Sequence, residues 1–357
     1  MARQRLRDLG LLTGSLPTGH WNAITDVAGV AVGFASVITD EPRTVRSGVT
    51  AIWPRGREIW TDAVFAGFHS FNGNGEMTGL PWIEEQGMIG APIGITNTFS
   101  VGVVRDAIAR LAVREAAPQS FHLPVVAETY DGFLSESEFF PIETGHAMAA
   151  LDAACTGPVT EGNVGGGTGM ICHQFKGGTG TASRRIAEHG ESFVVGALVQ
   201  TNYGAREMLR VDGVPVGREI GPDVVPPPRA AADQGSIIVV LATDAPLLPI
   251  QCRRLARRAT TGLAWAGGIG ANGSGDIFLA FSTANHLPFG QPLSEVRMLA
   301  PERMTLLFQA AAEATEEAIL NALTAAETMT GRAGRTVHAL PLDRLVETMR
   351  RYRPAAI

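Results

Sequence analysis

The chain has 357 residues, of which 45% are hydrophobic and 18% charged, with a formal net charge of −6. This balance is too apolar for intrinsic disorder and lacks the basic footprint that nucleic acid or an anionic membrane surface would require. Cys155, Cys172 and Cys252 form no CxxC pair, which argues against a zinc finger or a disulfide framework.

In chain order, the arginines at positions 3, 5 and 7 precede Leu9–Leu12. That apolar stretch is too short for a signal-peptide core, and no run reaches the roughly 20 residues that span a bilayer. The expectation is a soluble, cytoplasmic globular protein, with export to the periplasm left open. Val101, Val104, Ile108 and Leu111 recur at helical spacing behind Ser100, predicting a helix over 100–116. Residues 162–180 hold eight glycines in nineteen positions; they suit either an anion cradle or, more readily, turns where backbones approach closely. The apolar runs at 193–200 and 236–242 read as buried strands. Between them lies VGREIGPDVVPPPRAAADQ, residues 216–234, which reads as an exposed, poorly ordered linker because Pro226, Pro227 and Pro228 fit neither helix nor central strand. A helix is expected at 246–262, a strand at 277–281 and a long Ala-rich helix over 301–329. No period of 20–50 residues appears, which argues against solenoids and propellers.

The chain has no HExxH, Walker A string or GxSxG elbow, and its eight histidines show no metal-ligand spacing. Neither metal nor cofactor is expected. The GxGxxG match at 268–273 follows an expected helix rather than a strand, the wrong context for a dinucleotide. His69, Asn72, Asn74 and Glu76 form a polar cluster that reads as pocket wall or subunit contact.

The most informative pair is Gly235-Ser236, where the expected linker meets the expected buried strand. A serine there serves either as an ordinary first strand residue or as a nucleophile released by cleavage of its own peptide bond. The hydroxyl would attack the preceding carbonyl, and glycine tolerates the backbone geometry that brings the two together. The new N-terminus would carry both a nucleophilic Oγ and an α-amine of pKa about 7.7–8.0, a suitable general base near neutrality. Downstream, small residues surround Ser274, and Asp276 is placed to orient a hydroxyl.

The strings DQGSIIVVLATDAPLLPIQ (233–251) and GSGDIFLAFSTAN (273–285) resemble the DmpA-type family of serine aminopeptidases, which includes L-aminopeptidase/D-esterases and β-peptidyl aminopeptidases. Further blocks at 19–33, 66–85, 95–107, 127–133 and 161–184 resemble the same family. The resemblance implies a single α+β domain over 1–357, built as a four-layer αββα sandwich similar to N-terminal-nucleophile hydrolases but connected differently. It implies self-cleavage between Gly235 and Ser236 into an α chain (1–235) and a β chain (236–357), assembled as a homotetramer of such heterodimers. By residue match, Ser236 is the nucleophile, Ser274 and Asp276 are its supporting hydroxyl and carboxylate, and Asn202 is the oxyanion donor. Some members carry Glu, one methylene longer, where Asp276 stands. Glu128 and Tyr130 match positions lining the substrate site, and a carboxylate there suits the free ammonium of a small peptide, amide or ester; Glu136 and Glu143 are rivals for that task. The general base is either the Ser236 α-amine or the Ser274/Asp276 pair. Two other functions compete: acyl transfer of the ornithine acetyltransferase kind, disfavoured because those enzymes use threonine, and a non-processing oligomeric scaffold.

Overall fold

Period-two alternation divides the strand that begins at Ser236 between two cores. Ile237, Val239 and Leu241 belong to one apolar cluster, and Ile238, Val240 and Ala242 to the other. A strand apolar on both faces must be covered on both sides, and this requirement sets the architecture. The structure is a computed structural model describing residues 3–115, 117–119, 121–188, 190–228 and 235–353.

In chain order the strands are β1 (Ala31–Thr39), β2 (Val45–Arg57), β3 (Asp62–Gly73), β4 (Met88–Ile89), β5 (Ile93–Asn97), β6 (Val125–Thr129), β7 (Ile171–Cys172), β8 (Phe175–Lys176), β9 (Gly178–Glu188), β10 (Glu191–Asn202), β11 (Ser236–Thr243), β12 (Gly275–Pro288), β13 (Met329–Thr330) and β14 (Thr336–Val337). The helices are α1 (Leu80–Gln86), α2 (Val101–Arg114), α3 (Thr144–Asp152), α4 (Val216–Glu219), α5 (Pro249–Ala256), α6 (Ala259–Trp265), α7 (Met304–Ala325) and α8 (Leu342–Tyr352). One sheet has the order β1-β2-β5-β6 and the other β4-β3-β12-β11-β10-β9. Pairing is antiparallel within them except at β5–β6 and β11–β12, which are parallel. Helices α2 and α3 pack on the four-stranded sheet, α5 on β3 and β12, and α7 on β9 and β10 with α6 behind it. One core lies between the six-stranded sheet and α5–α7, and the other joins the facing sheets with α2 and α3. The result is the expected α+β sandwich of helix, sheet, sheet and helix.

Several elements depart from the sequence expectations. The expected helix at 246–262 is two helices, α5 and α6, separated at Arg257 and Arg258. The break lets Gly262 lie directly against the α7 backbone, where a Cβ would come within 2.3 Å of the Ala312 carbonyl oxygen. The long C-terminal helix ends at Ala325, and the chain is extended again by Met329. The linker reading of 216–234 is corrected for its first part. Val216, Ile220 and Val225 are buried in the core, and Arg206 donates to the Val225 carbonyl at 2.6 Å. Apolar residues at these positions hold the segment down despite its prolines; residues 229–234 lie outside the described residues.

A buried ionic cluster joins β9 to α7. Arg184, fully buried, donates to Glu313 at 3.0 Å and Glu317 at 2.7 Å. Glu313 also accepts from the Ser15 and Leu16 amides, and Glu317 from Arg7, so the N-terminal segment is fastened to the same helix. Replacing Arg184 by Ala leaves two carboxylates buried without their shared cation. Such a loss costs about 3–5 kcal/mol, and urea unfolding of the R184A variant is expected to show a correspondingly lower midpoint.

Candidate active site

The pairing directions bring three strand ends together. β10 runs antiparallel to β11 and β12 runs parallel to it, so the end of β10 meets the starts of β11 and β12. Asn202 lies opposite Ser236, Ser236 opposite Gly275, and Ile237 opposite Asp276. The facing sheet contributes Glu128 near the end of β6 and Thr98 just beyond β5.

Ser236 is buried, and its Oγ accepts a hydrogen bond from the Gly275 amide at 3.1 Å. Asp276 Oδ1 accepts from the Ser274 hydroxyl at 2.5 Å and from the Ile237 amide at 3.2 Å. The shorter aspartate side chain therefore reaches its serine. Burial raises the Asp276 carboxyl to about 6, with the bonds from Ser274 and Ile237 acting in the opposite direction. A carboxyl titrating there can hold or release a proton near neutral pH. Asn202 accepts from the Ile171 amide through Oδ1 at 2.9 Å and donates from Nδ2 to the Tyr130 carbonyl at 2.9 Å. Glu128 accepts from the Glu76 amide at 3.0 Å and from the Thr98 hydroxyl. Burial is the largest influence on Glu128 and raises its pKa, with a further push from the Glu76 charge.

These groups share a cavity of about 320 Å³ lined by Asn74, Gly75, Glu76, Thr98, Glu128, Tyr130, Asn202, Gly235, Ser236 and Gly273. Its lining includes two carboxylates and neither Lys nor Arg, a field that favours a cationic group. A second cavity, of about 210 Å³, is lined by Ser274, Asp276, Tyr203 and Ile269 among others, and Gly235 borders both. A Cβ on Gly235 would lie 2.1 Å from the Asn202 carbonyl oxygen and 2.8 Å from Tyr203 Cα. Only glycine fits this approach without backbone movement. A more apolar cavity of about 410 Å³, walled by Trp82, Phe121, Leu123 and Phe289, shares no lining residue with these two.

All seven residues singled out in the sequence (Asn202, Gly235, Ser236, Ser274, Asp276, Glu128 and Tyr130) border one or both of the two adjoining cavities. Glu136 instead accepts from the Thr44 amide, and Glu143 stands at the start of α3; neither lines the Ser236 cavity. The polar cluster at 69–76 divides. Asn74 and Glu76 line the cavity, whereas His69 lies in β3 opposite Phe278 and Asn72 donates to the Ala271 carbonyl. Thr98 and the Gly275 amide were not anticipated. The Thr98 contact depends on β5 and β6 lying side by side, which no local pattern announces. Among the described residues, no group of three His, Cys, Asp or Glu side chains could hold a metal ion, and no helix is long and apolar enough to cross a membrane.

The sequence profile of peptidase family S58 matches residues 22–337. The chain belongs to peptidase family S58. Among S58 relatives, the beta-peptidyl aminopeptidase BapA of Sphingosinicella microcystinivorans is 49% identical over 99% of this chain and 93% of its own length. The solved structure of a Burkholderia sp. beta-aminopeptidase is 49% identical, with a TM-score of 0.92 over 98% of this chain and 99% of that one. The L-aminopeptidase D-Ala-esterase/amidase of Ochrobactrum anthropi, described as a variant of the Ntn hydrolase fold, is 46% identical with a TM-score of 0.89 over 98% of both chains. The S58 chain described here therefore has the Ntn-hydrolase type of sandwich and is a peptidase by membership.

The Asp276 environment gives a direct test of the site's electrostatics. In wild-type protein, carboxyl ¹³C NMR is expected to show Asp276 titrating near 6. Ser274→Ala removes a hydrogen bond that favours the charged form, so the midpoint should move higher.

Proposed function

We propose that this S58 peptidase is a self-processing serine aminopeptidase acting on small peptides, amides or esters with a free amino group. The observation that carries the reading is one cavity shared by the Ser236 hydroxyl, the Asn202 amide and the Glu128 carboxylate. In maturation, Ser236 Oγ attacks the Gly235 carbonyl, the peptide nitrogen leaves as the Ser236 α-amine, and water cleaves the resulting ester. The products are a chain ending in the Gly235 carboxylate (1–235) and one beginning with Ser236 (236–357), within one domain.

In turnover, Ser236 Oγ adds to the carbonyl of the substrate's N-terminal residue and its proton passes to a base. The new α-amine and the Ser274/Asp276 pair are the two candidate bases. Asn202 donates to the oxyanion, the leaving amine or alcohol takes up a proton, and water then releases the acyl group. Glu128 holds the substrate ammonium while Tyr130 forms part of the wall. The names of the Sphingosinicella and Burkholderia relatives support β-amino substrates among those accepted. Assembly as a homotetramer of αβ heterodimers follows from the family resemblance. A cytoplasmic location fits the three unpaired cysteines.

The test is steady-state kinetics on β-alanyl and L-alanyl p-nitroanilides. Wild-type enzyme is expected to release p-nitroaniline and Ser236→Ala to release none. Glu128→Gln removes a charged hydrogen-bond partner worth about 1.5–3 kcal/mol, so KM should rise about ten- to hundredfold, with a smaller effect on kcat. An unchanged KM would remove Glu128 from the ammonium site.

A further inference from the structure

Lys176 is the only lysine of the chain. Its side chain is fully buried, and among the described residues no carboxylate lies within ion-pair distance of it. The ammonium donates instead to three backbone carbonyls, those of Gly177 at 2.7 Å, Met170 at 2.9 Å and Gly167 at 3.4 Å. Burying an unpaired ammonium is expensive even when its three hydrogens are satisfied, and burial pushes its pKa down to about 7, so the charge is held at and below neutral pH. A leucine or methionine would fill an interior position at less cost, so what the charge faces is informative.

The Met170 carbonyl and the Ile171 N–H are the two ends of one peptide plane. At one end, the carbonyl accepts from Lys176 Nζ and from the Gly177 amide, each at 2.9 Å. At the other, the N–H donates to Asn202 Oδ1 at 2.9 Å. Asn202 in turn donates from Nδ2 to the Tyr130 carbonyl, leaving its second N–H on the side chain that lines the Ser236 cavity. An N–H on one side and a carbonyl on the other dictate the same amide orientation. The hairpin that delivers this peptide is itself held firmly. Ile171 pairs with Lys176 across a two-residue turn, His173-Gln174, with φ of 47° and 59° and no glycine. Such a turn is strained for these residues. It is tied down where the His173 amide donates to the Tyr203 carbonyl at 2.6 Å and Arg206 donates to the Gln174 carbonyl at 2.7 Å.

We propose that Lys176 is a positioning residue of the oxyanion site, fixing and polarising the Asn202 amide through the Met170–Ile171 peptide. The proposal rests on the reading of Asn202 as the oxyanion donor. Charge at one end of a chain of aligned hydrogen bonds strengthens each successive donor in a low-dielectric interior. The benefit is greatest when negative charge develops on the reacting oxygen, so it belongs to the transition state rather than to substrate binding.

The experiment compares Lys176→Met, which keeps the apolar stem, with wild type, using kcat per processed chain, KM for β-alanyl p-nitroanilide and affinity for 2-aminoethylboronic acid. The boron adds Ser236 Oγ and becomes tetrahedral and negatively charged, reporting on the oxyanion site. The expected result is a kcat at least about tenfold lower, KM within about twofold, and boronic acid affinity reduced by a factor similar to that of kcat. Unchanged kcat and boronic acid affinity, or a loss confined to KM, would overturn the proposal. Asn202→Ala serves as the control: if it leaves kcat unchanged, the oxyanion assignment itself fails, whereas a loss there without one in Lys176→Met rejects the Lys176 relay alone. Should Lys176→Met not fold, wild-type protein labelled with ¹³C-lysine gives a single lysine side-chain signal. Movement of that signal on boronic acid binding supports the relay, and its constancy overturns it.

Discussion

The strand pairing around Ser236 is the constraint on which the site depends. Because β11 has an antiparallel neighbour on one side and a parallel neighbour on the other, its first residue faces the last residue of β10 and the first of β12. A one-residue slip would turn Ser236 to the opposite face of the sheet and separate it from both partners. The slip is resisted because β11 is buried on both faces, with alternate residues committed to different cores. Register here comes from packing, and the chemistry inherits it.

The same packing accounts for the site's electrostatics. Asp276 and Glu128 both sit where burial disfavours their charged forms, and each is partly offset by hydrogen bonds from a hydroxyl and a backbone amide. Their surroundings differ, and the roles proposed for them differ accordingly. Asp276 is bonded to Ser274 beside the strand that begins at Ser236, whereas Glu128 lies across the cavity on the opposite sheet beside Glu76. An ammonium entering between the sheets would relieve the unfavourable charge burial at Glu128, the electrostatic driving force on which the proposed ammonium site relies.

Much of this was readable from the chain. Gly235-Ser236 stood out because a small-residue pair opened a buried strand. The strings at 233–251 and 273–285 carry the family resemblance, and the continuous apolar runs at 193–200 and 236–242 mark buried strands. What escaped the sequence depended on contacts between elements distant in the chain. Thr98 reaches Glu128 only because β5 and β6 lie parallel, and the linker reading failed where Val216, Ile220 and Val225 found the core. The expected helix at 246–262 is interrupted at Arg257 and Arg258, and Gly262 packs against α7, a tertiary contact that helical periodicity does not reveal. The glycines at 162–180 read as turns of close backbone approach, but the path from Lys176 through one peptide to Asn202 is a tertiary arrangement that no local pattern shows.

The central claim, that Ser236 is a nucleophile exposed by cleavage of its own peptide bond, is tested most directly by the denatured mass of purified protein. The comparison is wild type beside Ser236→Ala, with N-terminal sequencing of any fragment. The account predicts two wild-type fragments of about two-thirds and one-third of the chain, the smaller beginning at Ser236, and an intact variant. A single intact 37.7 kDa species in both samples, or cleavage that persists without the hydroxyl, would contradict it.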